Sequence, residues 1–268
     1  MKKAYALANL LVVIAVIAWN YGANASGING NTVGSISDRI NTLFTPAGYA
    51  FSIWGLIYLG LIAHGIFQVR SAFSSSREDD FIMRIGPWLI TANLANAAWI
   101  WFWLNEQTGI SVIMMLLILV SLLVIIVRLD MERWDAPIRI IAWVWWPFCL
   151  YSGWIAVATI ANVAAWLEQI DREFFFSDLT WTVIMIVVAA LLNLLMILTR
   201  NMREFAAVGV WALLAISVRH WGEIPLLQWS ALISSIILLI AIFIHGYRNQ
   251  ATSPMVKWQQ HGLQKTEE

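Results

Sequence analysis

The stretch WVWWPFCLYSGWIAVATIANVAAW, residues 143–166, decides the fold. It carries no charged side chain. At about 1.5 Å of rise per residue it is long enough, as a helix, to cross the hydrocarbon core of a bilayer. Pro147, Tyr151, Trp154, Ala158 and Asn162 follow one another at steps of 4, 3, 4 and 4. On an α-helix those steps put all five on one face. A surface turned to lipid favours Leu, Ile and Val, so a face made of proline, phenol, indole, methyl and amide belongs inside a helix bundle. Pro147 removes one backbone hydrogen bond, and the helix is expected to kink there. A Trp one turn from Ala158 leaves a notch walled by aromatics. Taken alone, the stretch reads as close packing at Ala158 with Trp154 filling space.

Composition extends the membrane reading to the whole chain. Of 268 residues, 60% are hydrophobic and 12% charged. That charged share is about half the usual value for a soluble domain, and the mean hydropathy is +0.73. The formal net charge is zero, so no basic surface for nucleic acid is implied. The single cysteine, Cys149, lies in an apolar span and excludes an internal disulfide. There are 17 tryptophans. Interfacial belts account for some, but Trp99, Trp145, Trp146, Trp154 and Trp211 fall well inside spans.

Eight apolar segments can be drawn, at about 4–22, 47–69, 86–104, 109–128, 138–167, 179–199, 204–220 and 225–246. Each is near the length needed to span, and in lipid the backbone must satisfy itself within the segment, so all are expected to be helices. One set of connections holds 13 basic residues: Lys2, Lys3, Arg70, Arg77, Arg84, Arg128, Arg133, Arg139, Arg200, Arg203, Arg248, Lys257 and Lys265. The other set holds three: Arg39, Arg172 and Arg219. The bias predicts both termini in the cytoplasm, in the cell (inner) membrane, and an even number of helices. Lys2 and Lys3, an apolar run and Ala23-Asn24-Ala25 also resemble a signal peptide. A retained first helix is the preferred expectation. Segment 23–46 is rich in Asn, Gly and Ser and is expected to be irregular and exposed, with Pro46 opening the second helix. Residues 70–84 should form a solvated loop and 247–268 a polar tail.

The chemistry-bearing residues narrow the function. No Asp, Glu, Lys or Arg sits near the middle of a span, which argues against ion-coupled transport. His64 is the one titratable group clearly within a span, and it is expected to be solvated or hydrogen-bonded. No His, Cys or carboxylate has metal-ligand spacing with it, and no nucleophile elbow, P-loop or dinucleotide fingerprint occurs. Arg219, His220 and Glu223 read as an interfacial polar turn. What remains are stripes. Phe51, Trp54 and Tyr58 share a face in the second segment. Asn93, Asn96, Trp99 and Trp103 do so in the third. With the face on 147–162, three helices each bring Trp beside a small or amide residue. Together they suggest a shared aromatic cavity for a flat, apolar ligand.

These residues resemble the TspO/MBR family, the translocator or tryptophan-rich sensory proteins. PAGYAFSIWGLIY (46–58) is similar to the family's helix entry, with Trp54 and Tyr58 in the matching places. Only Pro46 stands where the family has a double proline, and Phe51 is three residues before Trp54. Asn96-Ala-Ala-Trp99 matches the family's Asn-x-x-Trp. Trp154-Ile-Ala-Val-Ala158-Thr159-Ile-Ala-Asn162 matches its Trp-x-x-x-Ala-Thr-x-x-Asn, although Leu150 stands where the family has a proline. The resemblance covers about residues 4–167. It implies that residues 1–167 of this all-α, polytopic bundle form a five-helix TspO-like unit; outside it, the apolar segments add three further helices (168–246) and a cytoplasmic tail (247–268), eight transmembrane helices in all. It also implies a pocket for porphyrins and other apolar ligands, a role in stress-linked tetrapyrrole handling, and ligand contacts at Trp54, Asn96, Trp99, Trp154 and Ala158. With the stripes, the candidate binding set is Trp54, Tyr58, Asn96, Trp99, Trp154, Ala158 and Asn162, with no catalytic residue and no metal. Porphyrin or haem is expected as a ligand rather than a cofactor. The expected partners are the lipid bilayer, a small hydrophobic ligand and a second copy of the chain in a homodimer. Two other readings remain: a permease or efflux component, and a weak light-dependent porphyrin-degrading activity using Trp54 and Trp154.

Overall fold

The computed structural model describes residues 1–74, 80–170 and 176–250. Arg77, Arg172 and the tail from residue 251, with Lys257 and Lys265, lie outside the described residues. Among the described residues the regular structure is helical: α1 (Lys2–Ser26), α2 (Val33–Ile40), α3 (Ile53–Phe73), α4 (Asp80–Ile85), α5 (Trp88–Leu104), α6 (Thr108–Arg128), α7 (Ile138–Ile140), α8 (Trp146–Gln169), α9 (Asp178–Arg200), α10 (Arg203–Arg219) and α11 (Pro225–Arg248). Each expected apolar segment is occupied by a helix. Among the described residues, six helical stretches are long and apolar enough to cross a membrane: Lys2–Ser26, Gly48–Phe73, Thr108–Arg128, Ile138–Gln169, Asp178–Arg200 and Pro225–Arg248. The other two, α5 and α10, have 17 residues each. At that length a helix rises about 26 Å, a little short of the hydrocarbon core.

Side-chain volume explains how these helices approach. At Gly153 on α8, an added Cβ would lie 2.7 Å from the backbone oxygen of Phe205 on α10. At Gly209 on α10, it would collide with the amide of Asn193 on α9. Both helix pairs therefore pack with backbone against neighbour, as small residues allow in membranes. Helix α10, in contact with α8, α9 and α11, buries Ala206, Ala212, Ala215 and Ile216. By contrast α9 turns Leu191, Leu195 and Leu198 outward, as lipid-facing positions require.

Helix α8 carries the expected face inward. Pro147, Tyr151, Trp154 and Asn162 are buried and Ala158 half-buried. The irregularity expected at Pro147 takes the form of one π turn, Ile141–Trp145, just before it. Proline has no N–H, so the carbonyl four residues back, that of Trp143, loses its normal donor. His64 on α3 replaces it: Nδ1 donates to the Trp143 oxygen at 2.8 Å. The acceptor is a carbonyl, so the proton must sit on Nδ1. The imidazole is fully buried, with Phe148 and Phe81 at its edges. His64 is thus hydrogen-bonded rather than solvated.

Segment 23–46 departs from the expectation of an irregular, exposed loop. It contains α2, begun by a capping box in which Thr32 accepts from the Ser35 N–H and Ser35 Oγ accepts from the Thr32 N–H. Asn41 closes it in the left-handed region at φ 51°, a conformation its short amide side chain tolerates. Ile36 and Phe44 are fully buried. Pro46 does not open the next helix. It precedes a 3-10 turn, Gly48–Ser52, and α3 proper starts at Ile53.

Candidate functional site

The aromatic stripes converge at the end of the bundle where α2 lies. A narrow chamber of about 60 Å³ is lined by Val33, Ser37 and Ile40 of α2, by Phe51 and Trp54, by Trp99 and Trp103 of α5, by Met115 of α6, and by Trp154, Ala158 and Asn162 of α8. A wider cleft of about 500 Å³ runs beside it toward α1, lined by Ile17, Asn20, Tyr21, Asn24, Asp38 and Tyr58. The two spaces share Val33, Phe51, Trp54 and Trp99.

Ring contacts hold the walls. Phe51 meets Trp154 edge-on at 6.0 Å between centroids. Trp54 stacks on Tyr58 at 5.3 Å and meets Tyr151 edge-on at 5.9 Å. Trp99 stacks on Trp103 at 6.1 Å. All lie in the range where aromatic pairs attract beyond simple burial. Hydrogen bonds fix the indoles. Trp99 Nε1 donates to Asn162 Oδ1 at 2.7 Å, and Asn162 Nδ2 donates to Ser111 Oγ at 2.8 Å, tying α5, α8 and α6 together. Trp103 Nε1 donates to the Val33 carbonyl at 3.3 Å, tying α5 to the start of α2.

Beneath the cleft lies a buried polar cluster. Asn20 Nδ2 donates to the Tyr58 hydroxyl at 2.8 Å and to Asn96 Oδ1 at 2.5 Å. Five of the seven sequence-selected residues, Trp54, Trp99, Trp154, Ala158 and Asn162, line the chamber. Tyr58 lines the cleft instead, and Asn96 lies below it in the cluster. None of the residues lining the chamber is titratable, and among the described residues no group of His, Cys, Asp and Glu could hold a metal. The lining can stack and hydrogen-bond. Besides the indole faces it offers the Asn162 amide and the Ser37 and Thr45 hydroxyls.

The family model of TSPO-like protein matches residues 6–244, most of the chain. The chain belongs to the TSPO-like family. No curated protein and no solved structure matches it. The family match reaches further along the chain than the motifs do. The resemblance read from motifs stopped near residue 167, whereas the TSPO-like match continues through α9 and α10 and reaches into α11.

Those helices also supply residues that the motifs did not reveal. Arg219, at the end of α10, donates to Asn41 Oδ1 at 2.5 Å and to the Pro46 carbonyl at 3.4 Å, and lies 3.5 Å from Asp38. His220 Nε2 bonds the Leu43 carbonyl at 2.7 Å. The Ala47 N–H donates to the Ala215 carbonyl at 3.1 Å, and Trp211 Nε1 to the Ala50 carbonyl at 3.1 Å. What sequence presented as an interfacial polar turn is bonded to the segment that covers the chamber. Asn20 was missed as well. Its signal was its spacing: Asn9, Val13, Val16 and Asn20 form one buried face of α1.

Proposed function

We propose that this multi-pass membrane protein is a non-enzymatic binding or sensory protein for a flat, apolar ligand such as a porphyrin. The observation that carries the reading is the convergence of tryptophans from α3, α5 and α8 on one chamber beside the Asn162 amide, with no ionisable side chain in the chamber itself; Asp38, Tyr21 and Tyr58 lie on the adjoining cleft. Trp54 and Trp99, shared by cleft and chamber, are the stacking surfaces. Tyr58, with Asn96 behind it, is the polar contact on the α1 side. Trp154, Ala158 and Asn162 form the inner wall. Size supports an order of entry. Small-molecule sites run from about 300 to 1,000 Å³. The cleft falls in that range and the chamber far below it. The ligand body lies in the cleft, with one edge directed at the chamber. We further propose eight crossings of the cell membrane with both termini cytoplasmic, a reading supported by the 13-to-3 division of basic residues.

The test is titration of protoporphyrin IX into the purified full-length protein, followed by porphyrin absorbance and tryptophan quenching, with the same protein in sealed vesicles. Saturable binding without accumulation inside vesicles and without light-dependent loss of porphyrin is expected. Accumulation would instead favour a permease, and tryptophan-dependent loss in light an enzyme.

A further inference from the structure

The segment over the chamber is built to be held from outside the five helices that carry the aromatic stripes. Helix α2 packs on α5 and α8 with Ile36 buried, but its polar ties to the five helices are few and gather at its start: the Val33 N–H donates to Asn24 Oδ1 at 3.0 Å, the Trp103 indole reaches the Val33 carbonyl, and Arg39 pairs with Glu106 at 2.9 Å with both side chains about half-exposed. An exposed pair of that kind contributes little. The connection between α10 and α11 does more. The guanidinium of Arg219, 22% exposed, spans three partners spread over residues 38–46 of the segment: the Asp38 carboxylate, the Asn41 amide and the Pro46 carbonyl. Its fork of fixed donors makes such bridging possible, where a lysine would supply one point of charge. The buried His220 ring bonds the Leu43 carbonyl in the same stretch. Beyond it, Ala47 and Ala50 are bonded to Ala215 and Trp211 of α10. Helix α10 is itself immobilised by the glycine crossings with α8 and α9.

We infer that Arg219 and His220 are positioning residues that latch residues 38–46 over the chamber, and that α9, α10 and α11 serve as the rigid post for that latch. The inference rests on the proposed ligand site for its biological meaning, but the latch is a property of the apo protein. With the latch closed, the inner wall at Ala158, Ala161 and Asn162 faces a space of about 60 Å³. A ligand edge reaches that wall only when 38–46 lifts. Arg219 and His220 therefore set how readily, and to what size of ligand, the chamber opens.

The experiment reads opening without any ligand. Ala161→Cys places a thiol on the rigid α8 wall of the chamber. Its labelling by a small, water-soluble methanethiosulfonate is followed by mass spectrometry on the full-length protein. The native Cys149, fully buried elsewhere on α8, is the internal control for unfolding. In the A161C background, R219Q combined with H220F should raise the labelling rate about tenfold, the scale set by loss of a hydrogen bond from a charged donor, while Cys149 stays protected. R219K, which keeps the charge facing Asp38 but cannot bridge all three partners, should fall between. If the double variant exposes Cys149, R219K and H220Q decide, since each leaves part of the latch. Labelling at position 161 within twofold of the parent in all variants that protect Cys149 overturns the latch. A parallel measurement of protoporphyrin IX association, by tryptophan quenching, separates the two claims. Faster labelling with no porphyrin binding in any variant removes the ligand reading and leaves the latch. Unchanged labelling removes the latch whatever porphyrin does.

Discussion

The two ends of the bundle are built in opposite ways. At the end that holds the chain's N-terminus, two clefts of about 550 and 500 Å³ stand open between helices. Charged and polar groups rim them: Arg70, Ser74 and Arg139 in one, and Asp80, Arg84 and Asp130 in the other. At the other end the comparable space is divided. A cleft remains toward α1, but the aromatic chamber beside it is reduced to about 60 Å³ by α2 and the residues that follow. The difference comes from what satisfies the backbone. At the N-terminal end, Pro147 opens the hydrogen-bond ladder of α8 and a single histidine closes it across to α3. At the chamber end, a whole segment is bonded down by α10. The openings at the N-terminal end thus lie between helices, whereas the chamber is closed by a separate piece that can be released.

The largest expected effects test the post on which that piece rests. Gly153→Ala sets a methyl against backbone, the Phe205 oxygen at 2.7 Å, which cannot swing aside. It should cost about 3 kcal/mol in denaturant titration, the upper part of the range for overpacking. Gly209→Ala meets the amide of Asn193, a side chain that can rotate, and should cost about 1–2 kcal/mol. If both are neutral, α10 is not anchored as described. Next in size is the proline repair at the opposite end. His64→Phe takes the donor from the part-buried Trp143 carbonyl and should cost about 0.5–1.5 kcal/mol, the net worth of a typical hydrogen bond. In a Pro147→Ala background the restored N–H can supply that carbonyl, so the cost of His64→Phe should shrink to less than half. Equal costs in the two backgrounds would show that His64 does not compensate for the proline. The smallest effect concerns the chamber itself. Trp154→Phe keeps an aromatic wall opposite Phe51 and should weaken protoporphyrin IX binding by about 1 kcal/mol, while Trp154→Ala should abolish it.

Much of this architecture was legible because helices repeat locally. Steps of 3 and 4 put Trp54 and Tyr58, Asn96 and Trp99, and Trp154, Ala158 and Asn162 on inward faces, and five of those seven line the chamber. Tyr58 and Asn96 diverged because they are drawn into the cluster around Asn20, an interaction across 38 and 76 residues that no local spacing encodes. Helix α2 was hidden by composition. Eight residues among Asn, Gly and Ser look like loop unless the Thr32–Ser35 box and the buried pair Ile36 and Phe44 are weighed together. Pro147 was visible, but its partner His64 is 79 residues from the carbonyl it serves. Arg219 reaches Pro46 across 173 residues. A basic residue in a short polar connection carries no signal of such a partner, and so the part played by the last helices emerged only in three dimensions.

The most direct test of the central claim, that the aromatic chamber end is the ligand site, is protoporphyrin IX binding to Ala158→Phe. Ala158 is half-buried on the inner wall, with Trp154 one turn before it and Asn162 one turn after. A phenyl ring there fills the space toward which the ligand edge is directed. The account predicts a protein whose stability falls by no more than about 1–2 kcal/mol, below the usual upper limit for overpacking, and whose porphyrin titration shows no saturable quenching. A folded A158F protein that binds protoporphyrin IX as tightly as wild type would contradict it, and the tryptophans around the chamber would then be packing alone.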